Sequence, residues 1–124
     1  MSLLNEDKQF LDKLGFNYEL HALEDSVTLL IIKNYPVSKV FSNESVDVLI
    51  KIPKGYPNSQ LDMFWVDPEI RFKNNGNYPP QADVFEDILN KKWQRFSRHY
   101  PWKPSYSIVQ HINVIRDVLY NERG

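Results

Sequence analysis

Wound at 3.6 residues per turn, Leu3, Leu4, Phe10, Leu11 and Leu14 fall on one face, and Gly15 stands where a helix stop is expected. With Ser2 or Asn5 as its cap, the segment predicts a short helix over 3–14. Phe16 to Leu23 then alternates imperfectly, Phe16, Tyr18, Leu20 and Ala22 against Asn17, Glu19, His21 and Leu23, and reads as a half-buried strand. Val27 to Lys33 is rich in β-branched and leucine side chains and runs into the turn signal Asn34-Tyr35-Pro36, so it predicts a strand covered on both faces. Val46 to Ile52 sets Val46, Val48, Ile50 and Ile52 against Asp47, Leu49 and Lys51, the pattern of a strand with one buried face. Pro53-Lys54-Gly55-Tyr56-Pro57 is a turn cluster, and Leu61 to Val66 is a short aromatic strand closed by Asp67-Pro68.

Three or four consecutive strands joined by short turns predict an antiparallel meander. From Lys73 to Gln81 the composition turns to Asn, Gly, Tyr and Pro, which predicts a long irregular loop of the kind that often carries function. Asp83 to Phe96 is ambiguous. Ser97 to Pro104 contains two prolines that exclude a regular helix. Beyond them Ser107 caps a helix whose Ile108, Ile112, Ile115 and Leu119 follow at i, i+4, i+7 and i+11, with Gly124 past its end.

A length of 124 residues, 42% of them hydrophobic, gives a single domain over 1–124 with a true two-layer core. The formal charge of −1 removes the global attraction to a phosphate backbone, so nucleic acid is not an expected partner. The absence of any Cys removes disulfides, thiolate metal sites and every cysteine-nucleophile mechanism. The first residues carry acids and lack an apolar run, so no secretory signal is read and a cytoplasmic location is expected. Val27 to Ile32, the longest apolar stretch, is far short of the roughly 20 residues that cross a bilayer, so no membrane partner is expected either.

The order helix, strand meander, Tyr-Pro turn, irregular stretch, Trp-x-Pro and final helix resembles the ubiquitin-conjugating-enzyme superfamily. Pro53, Tyr56 and Pro57 look like its Tyr-Pro turn, Pro68 closes the next strand, and Trp102 with Pro104 looks like its Trp-x-Pro. More narrowly, Phe64-Trp65 together with Trp93-Gln94-Arg95-Phe96-Ser97-Arg98-His99 and Trp102 is similar to the prokaryotic ubiquitin-conjugating-like family E. The resemblance implies an α+β fold, a four-stranded antiparallel sheet with helices on one face and at the ends, and a bacterial conjugation pathway, often tied to phage defence. Its expected partners are a ubiquitin-like modifier, an adenylating activating enzyme and a protein target. It also implies, by position alone, that the N-terminal helix with Lys8 and Lys13 meets the activating enzyme.

Two departures from the superfamily pattern bear on chemistry. The modifier-bearing cysteine is expected eight residues before Trp102, where this chain has Gln94, so thioester transfer is excluded. The superfamily's His-Pro-Asn string is also absent, and Asn74, Asn75 or Asn77 would substitute for its Asn only by position. Ser97 is the nearest hydroxyl to the missing sulfur, and an oxyester on it requires a base to accept its proton. His99 is that base if Ser97 to His99 is extended, because residues two apart then project to one side. Arg95 and Arg98 would support the oxyanion, at roughly 3 kcal/mol per well-aimed donor.

The same residues also describe an ordinary polar turn whose arginines stack on Trp93 or Trp102. A catalytically inactive module that binds the modifier or activating enzyme is therefore the alternative, and a small interaction domain with packing motifs a third. No cofactor is expected, and no metal, since His21, His99 and His111 lack ligand spacing. His111 is expected on the exposed side of the last helix. Asp83, Glu86 and Asp87, if helical, would lie on a solvated face, and Tyr78, Tyr100, Tyr106 and Trp102 are read as packing residues before stacking platforms.

Overall fold

The computed structural model describes residues 4–120, so Ser2, Leu3 and Gly124 lie outside the described residues. In chain order the elements are α1 (Asn5–Leu14), β1 (Tyr18–Ala22), β2 (Thr28–Pro36), β3 (Ser45–Ile52), β4 (Phe64–Asp67), β5 (Val84–Ile88), β6 (Lys91–Phe96) and α2 (Ile108–Leu119). The α+β class holds. The sheet has six strands rather than four, ordered β1-β2-β3-β4-β6-β5, and every neighbouring pair is antiparallel.

The two added strands come from the ambiguous stretch 83–96. Leu89 and Asn90 form a two-residue turn with φ of 53° and 62°, the left-handed pair whose twist suits a tight hairpin. Asp83, Glu86 and Asp87 are therefore not on a helix: Glu86 and Asp87 sit on β5 and Asp83 just before it. The strand expected from Leu61 begins only at Phe64, because residues 61–63 precede the ladder that β4 makes with β3 and β6. The expected turn Asn34-Tyr35-Pro36 is instead a bulge inside β2, with Asn34 at φ 55° and the register shifting between Ile32 and Tyr35. Ile32 and Tyr35 thereby reach the same core although they are three residues apart.

Leu4 rather than Asn5 occupies the cap position of α1, and the Asp7 carboxylate accepts from its backbone N–H at 3.1 Å. Gly15 ends the helix at φ 80°, a left-handed conformation that glycine adopts without strain. Ser107 caps α2 as expected, its hydroxyl accepting from Val109 N at 3.3 Å while the Gln110 side chain accepts from Ser107 N at 2.8 Å.

Both helices pack on one face of the sheet. Leu11 of α1 and Ile108, Ile112, Ile115 and Leu119 of α2 join Leu30, Val48, Ile50, Phe64, Val66 and Phe96 in the main core. The opposite face holds a second cluster, Leu29, Ile31, Leu49, Trp65 and Trp93. Leu29 to Ile32 are thus buried on alternating sides, as the apolar run implied. β3, expected to bury one face, buries Leu49 on the other as well. Lys51 Nζ stands 4.4 Å from the Trp65 ring centroid and Lys91 Nζ 5.1 Å from that of Trp93, so aliphatic stems with charged ends roof this second cluster.

The turn at 53–57 ties the helices to the site region. The buried Tyr56 hydroxyl donates to Asp7 Oδ2 at 2.6 Å and accepts from Ile108 N at 2.8 Å, linking α1 to the first turn of α2. The Trp102 indole N–H donates to the Pro57 carbonyl at 2.9 Å. The Tyr-Pro and Trp-x-Pro strings, distant in sequence, are therefore bonded to each other.

Candidate functional site

Beyond Phe96 the chain leaves the ladder but stays tethered, Ser97 N donating to the Gln81 carbonyl at 3.0 Å. Residues 97–100 follow with no regular structure, and Ser97 Oγ lies 3.3 Å from His99 Nε2. The close approach expected of an extended i, i+2 pair is present. On its other side His99 Nδ1 lies 2.8 Å from Asp62 Oδ1. The His99 side chain is 61% exposed and that of Asp62 36%, which leaves the group open to a protein-sized partner.

Asp62 was not legible as a site residue. It sits inside Leu61-Asp62-Met63, a run read as apolar strand, and the one sequence signal is the acid that interrupts it. The structure brings it to His99 because Met63 is pinned, its carbonyl accepting from His111 Nε2 at 3.0 Å just before β4 begins.

Arg95 lies on β6 with Nη1 3.7 Å from Glu86 Oε1, and its buried Nε has no hydrogen-bond partner. Arg98 Nη1 donates to the Pro80 carbonyl at 2.6 Å, and its guanidinium lies 5.5 Å from the Phe96 ring centroid. Both arginines are thus anchored, one on the second face of the sheet and one on the 73–81 loop. That loop is irregular, as expected, and internally bonded. Arg71 donates to the Tyr78 hydroxyl at 2.6 Å and to the Gly76 carbonyl at 3.2 Å, and Asn75 Oδ1 accepts from Asn77 N at 2.9 Å. Residues 77–81 and Asp83 line an open cavity of about 520 Å³ beside the Ser97 tether.

Gln94, at the position expected for the cysteine, is 1% exposed. Its carbonyl oxygen accepts from Ile70 N at 2.8 Å, and its amide donates to the Ile70 and Ala82 carbonyls at 3.1 and 2.9 Å. It braces the segments that flank the loop and faces no solvent.

His111 corrects the sequence expectation, being 1% exposed rather than on the outer side of α2. A carbonyl can only accept, so Nε2 carries the proton to Met63 O and Nδ1 accepts from the Tyr100 hydroxyl at 2.7 Å. Burial lowers its pKa to about 4, outweighing the Met63 hydrogen bond and the Asp62 charge, so the ring is neutral at pH 7. The Tyr100 hydroxyl is pushed up by burial first and by the Asp62 charge second. Tyr100, Trp102 and Tyr106 pack in sequence, with centroids 6.0 and 5.7 Å apart. On β5, Glu86 accepts from the Trp65 indole at 3.2 Å and from Lys51 at 3.2 Å. Among the described residues no three or more His, Asp or Glu side chains converge as metal ligands, and no helix is long and apolar enough to cross a membrane.

An α+β domain with this order of elements and a bonded Tyr-Pro and Trp-x-Pro pair is consistent with a fold of the ubiquitin-conjugating type. The family model described as Prokaryotic E2 family E matches residues 3–122, and the chain belongs to that family. Membership supports a role of the ubiquitin-conjugation type with protein partners. It sets aside the reading of a small interaction domain unrelated to the superfamily. Neither the curated proteins nor the solved structures gave a match.

Proposed function

We propose that the protein accepts a ubiquitin-like modifier from an adenylating activating enzyme as an oxyester on Ser97 and passes it to a protein target. The observation that carries this reading is the 3.3 Å approach of Ser97 Oγ to His99 Nε2 on an accessible segment of a chain without cysteine. Ser97 Oγ attacks the activated C-terminal carbonyl of the modifier while His99 Nε2 takes the hydroxyl proton. The bond to the donor's leaving group breaks, and the proton leaves with that group. In the second half a target amine attacks the ester carbonyl, an amide forms, and Ser97 regains its proton. Arg98 and Arg95, close along the chain, supply positive charge as the oxyanion develops, after exchanging their present partners. The open cavity at 77–81 lies beside the Ser97 tether and leaves room for the modifier's chain end. The setting is a bacterial cytoplasmic pathway of the phage-defence kind that the resemblance implied.

The test is incubation with modifier, activating enzyme and ATP. A Ser97 adduct that resists thiol reductant, yields to hydroxylamine and disappears in Ser97→Ala supports the reading. No adduct, or an equal adduct in the variant, refutes it.

A second reading, a catalytically inactive module that holds the modifier or activating enzyme, is favoured by one feature. Arg95 and Arg98 are already engaged by Glu86 and by the Pro80 carbonyl. Tight binding of either partner without any adduct is its expected outcome.

A further inference from the structure

We propose that Asp62 is a positioning residue that completes a Ser97–His99–Asp62 acyl-transfer triad able to react with activated esters in general; this rests on the Ser97 reading above and extends it. Asp62 Oδ1 is 2.8 Å from His99 Nδ1, and His99 Nε2 is 3.3 Å from Ser97 Oγ. An ionised carboxylate can only accept, so Nδ1 carries the ring proton. In the neutral ring the Nε2 lone pair then faces the Ser97 hydroxyl, the tautomer a general base requires. The contact at Nδ1 is the shorter of the two ring contacts, 2.8 against 3.3 Å, so Asp62 is the stronger hold on the ring's orientation and tautomer.

The carboxylate is itself firmly placed. Asp62 is 37 residues from His99 in the chain, immediately before Met63, whose carbonyl is held by the buried His111. On the other side, Ser97 is tethered through its N–H to Gln81. The two halves of the triad are therefore fixed from opposite ends, one by α2 and one by the 73–81 loop, and meet at the imidazole.

The step balances without a further reactant. Ser97 Oγ bonds to the acyl carbon, its proton moves to His99 Nε2, and the ester C–O bond breaks with its electron pair on the leaving oxygen, which takes a proton from Nε2 or from water. Asp62 stabilises the transient imidazolium and stays ionised. Water attacking the acyl-serine by the same route returns free Ser97 and a carboxylic acid, so slow ester turnover follows.

The full chain is treated with 4-nitrophenyl acetate, Ser97 acetylation is followed by peptide mass mapping, and the His99 ring nitrogens are read by 15N NMR. The expected wild-type result is acetylated Ser97 with the proton on Nδ1. In Asp62→Asn the tautomer shifts toward Nε2–H, and acetylation at Ser97 falls by roughly tenfold or more. Its partly exposed side chain leaves the melting temperature nearly unchanged. Equal acetylation in Asp62→Asn, or an unchanged tautomer, overturns the positioning role and leaves the Ser97 reading standing. An unreactive wild-type Ser97 that still forms the modifier adduct overturns the general-ester claim alone, and failure of both assays removes the Ser97 reading too.

Discussion

The Tyr56 hydroxyl donates a 2.6 Å hydrogen bond to the Asp7 carboxylate, and both side chains are buried. The same oxygen accepts from Ile108 N, so a single atom joins α1, the 53–57 turn and α2. Asp7 meanwhile holds the first turn of α1 through Leu4 N.

Tyr56→Phe keeps the ring packing and removes this atom. It leaves a buried carboxylate and the Ile108 N–H short of a partner, a loss of about 2–3 kcal/mol. Urea unfolding followed by circular dichroism should show that loss, with the native spectrum retained at zero denaturant.

Placing a cysteine at the position expected from the superfamily should fail. Gln94→Cys gives a sulfur with no solvent access and leaves Ile70 N, Ile70 O and Ala82 O without their side-chain partner, costing about 3 kcal/mol. Non-reducing electrophoresis after incubation with modifier, activating enzyme and ATP should show no adduct at residue 94, and the melting temperature should fall.

His111 makes stability depend on pH in a definite direction. Its folded pKa of about 4 lies below the ordinary value of 6.5, so the unfolded chain binds the proton more readily. The contribution is full above about pH 6.5 and is lost as pH falls toward 4. With a difference of that size it amounts to about 3 kcal/mol. Urea melts of wild type and His111→Gln should converge in stability as pH drops from 7 to 4, with the variant the less stable at pH 7 and the flatter in profile.

Much of this fold was legible because its signals are local. The run at 29–32, the alternation at 46–52, Gly15 and the Ser107 cap each point to their element from a few adjacent residues. The β5–β6 hairpin was not, because its turn is Leu89-Asn90 with no glycine to mark two left-handed residues, and its strands carry Glu86, Asp87, Lys91 and Lys92 as readily as a helix would. The burial of His111 was hidden for a different reason. Its two partners, Met63 O and the Tyr100 hydroxyl, are supplied by tertiary contacts, and no periodicity records them. Within the candidate site, the approach of Ser97 to His99 was legible from their spacing of two. Asp62 was not, since only the fold brings it beside His99.

The proposed transfer depends on the atom at position 97, and Ser97→Cys tests it most directly. Charged with modifier, activating enzyme and ATP, the wild type should give an adduct stable to thiol reductant, and the variant one that the reductant discharges, both mapping to residue 97. An adduct whose response to reductant is the same in both proteins, or one that maps elsewhere, would contradict the claim.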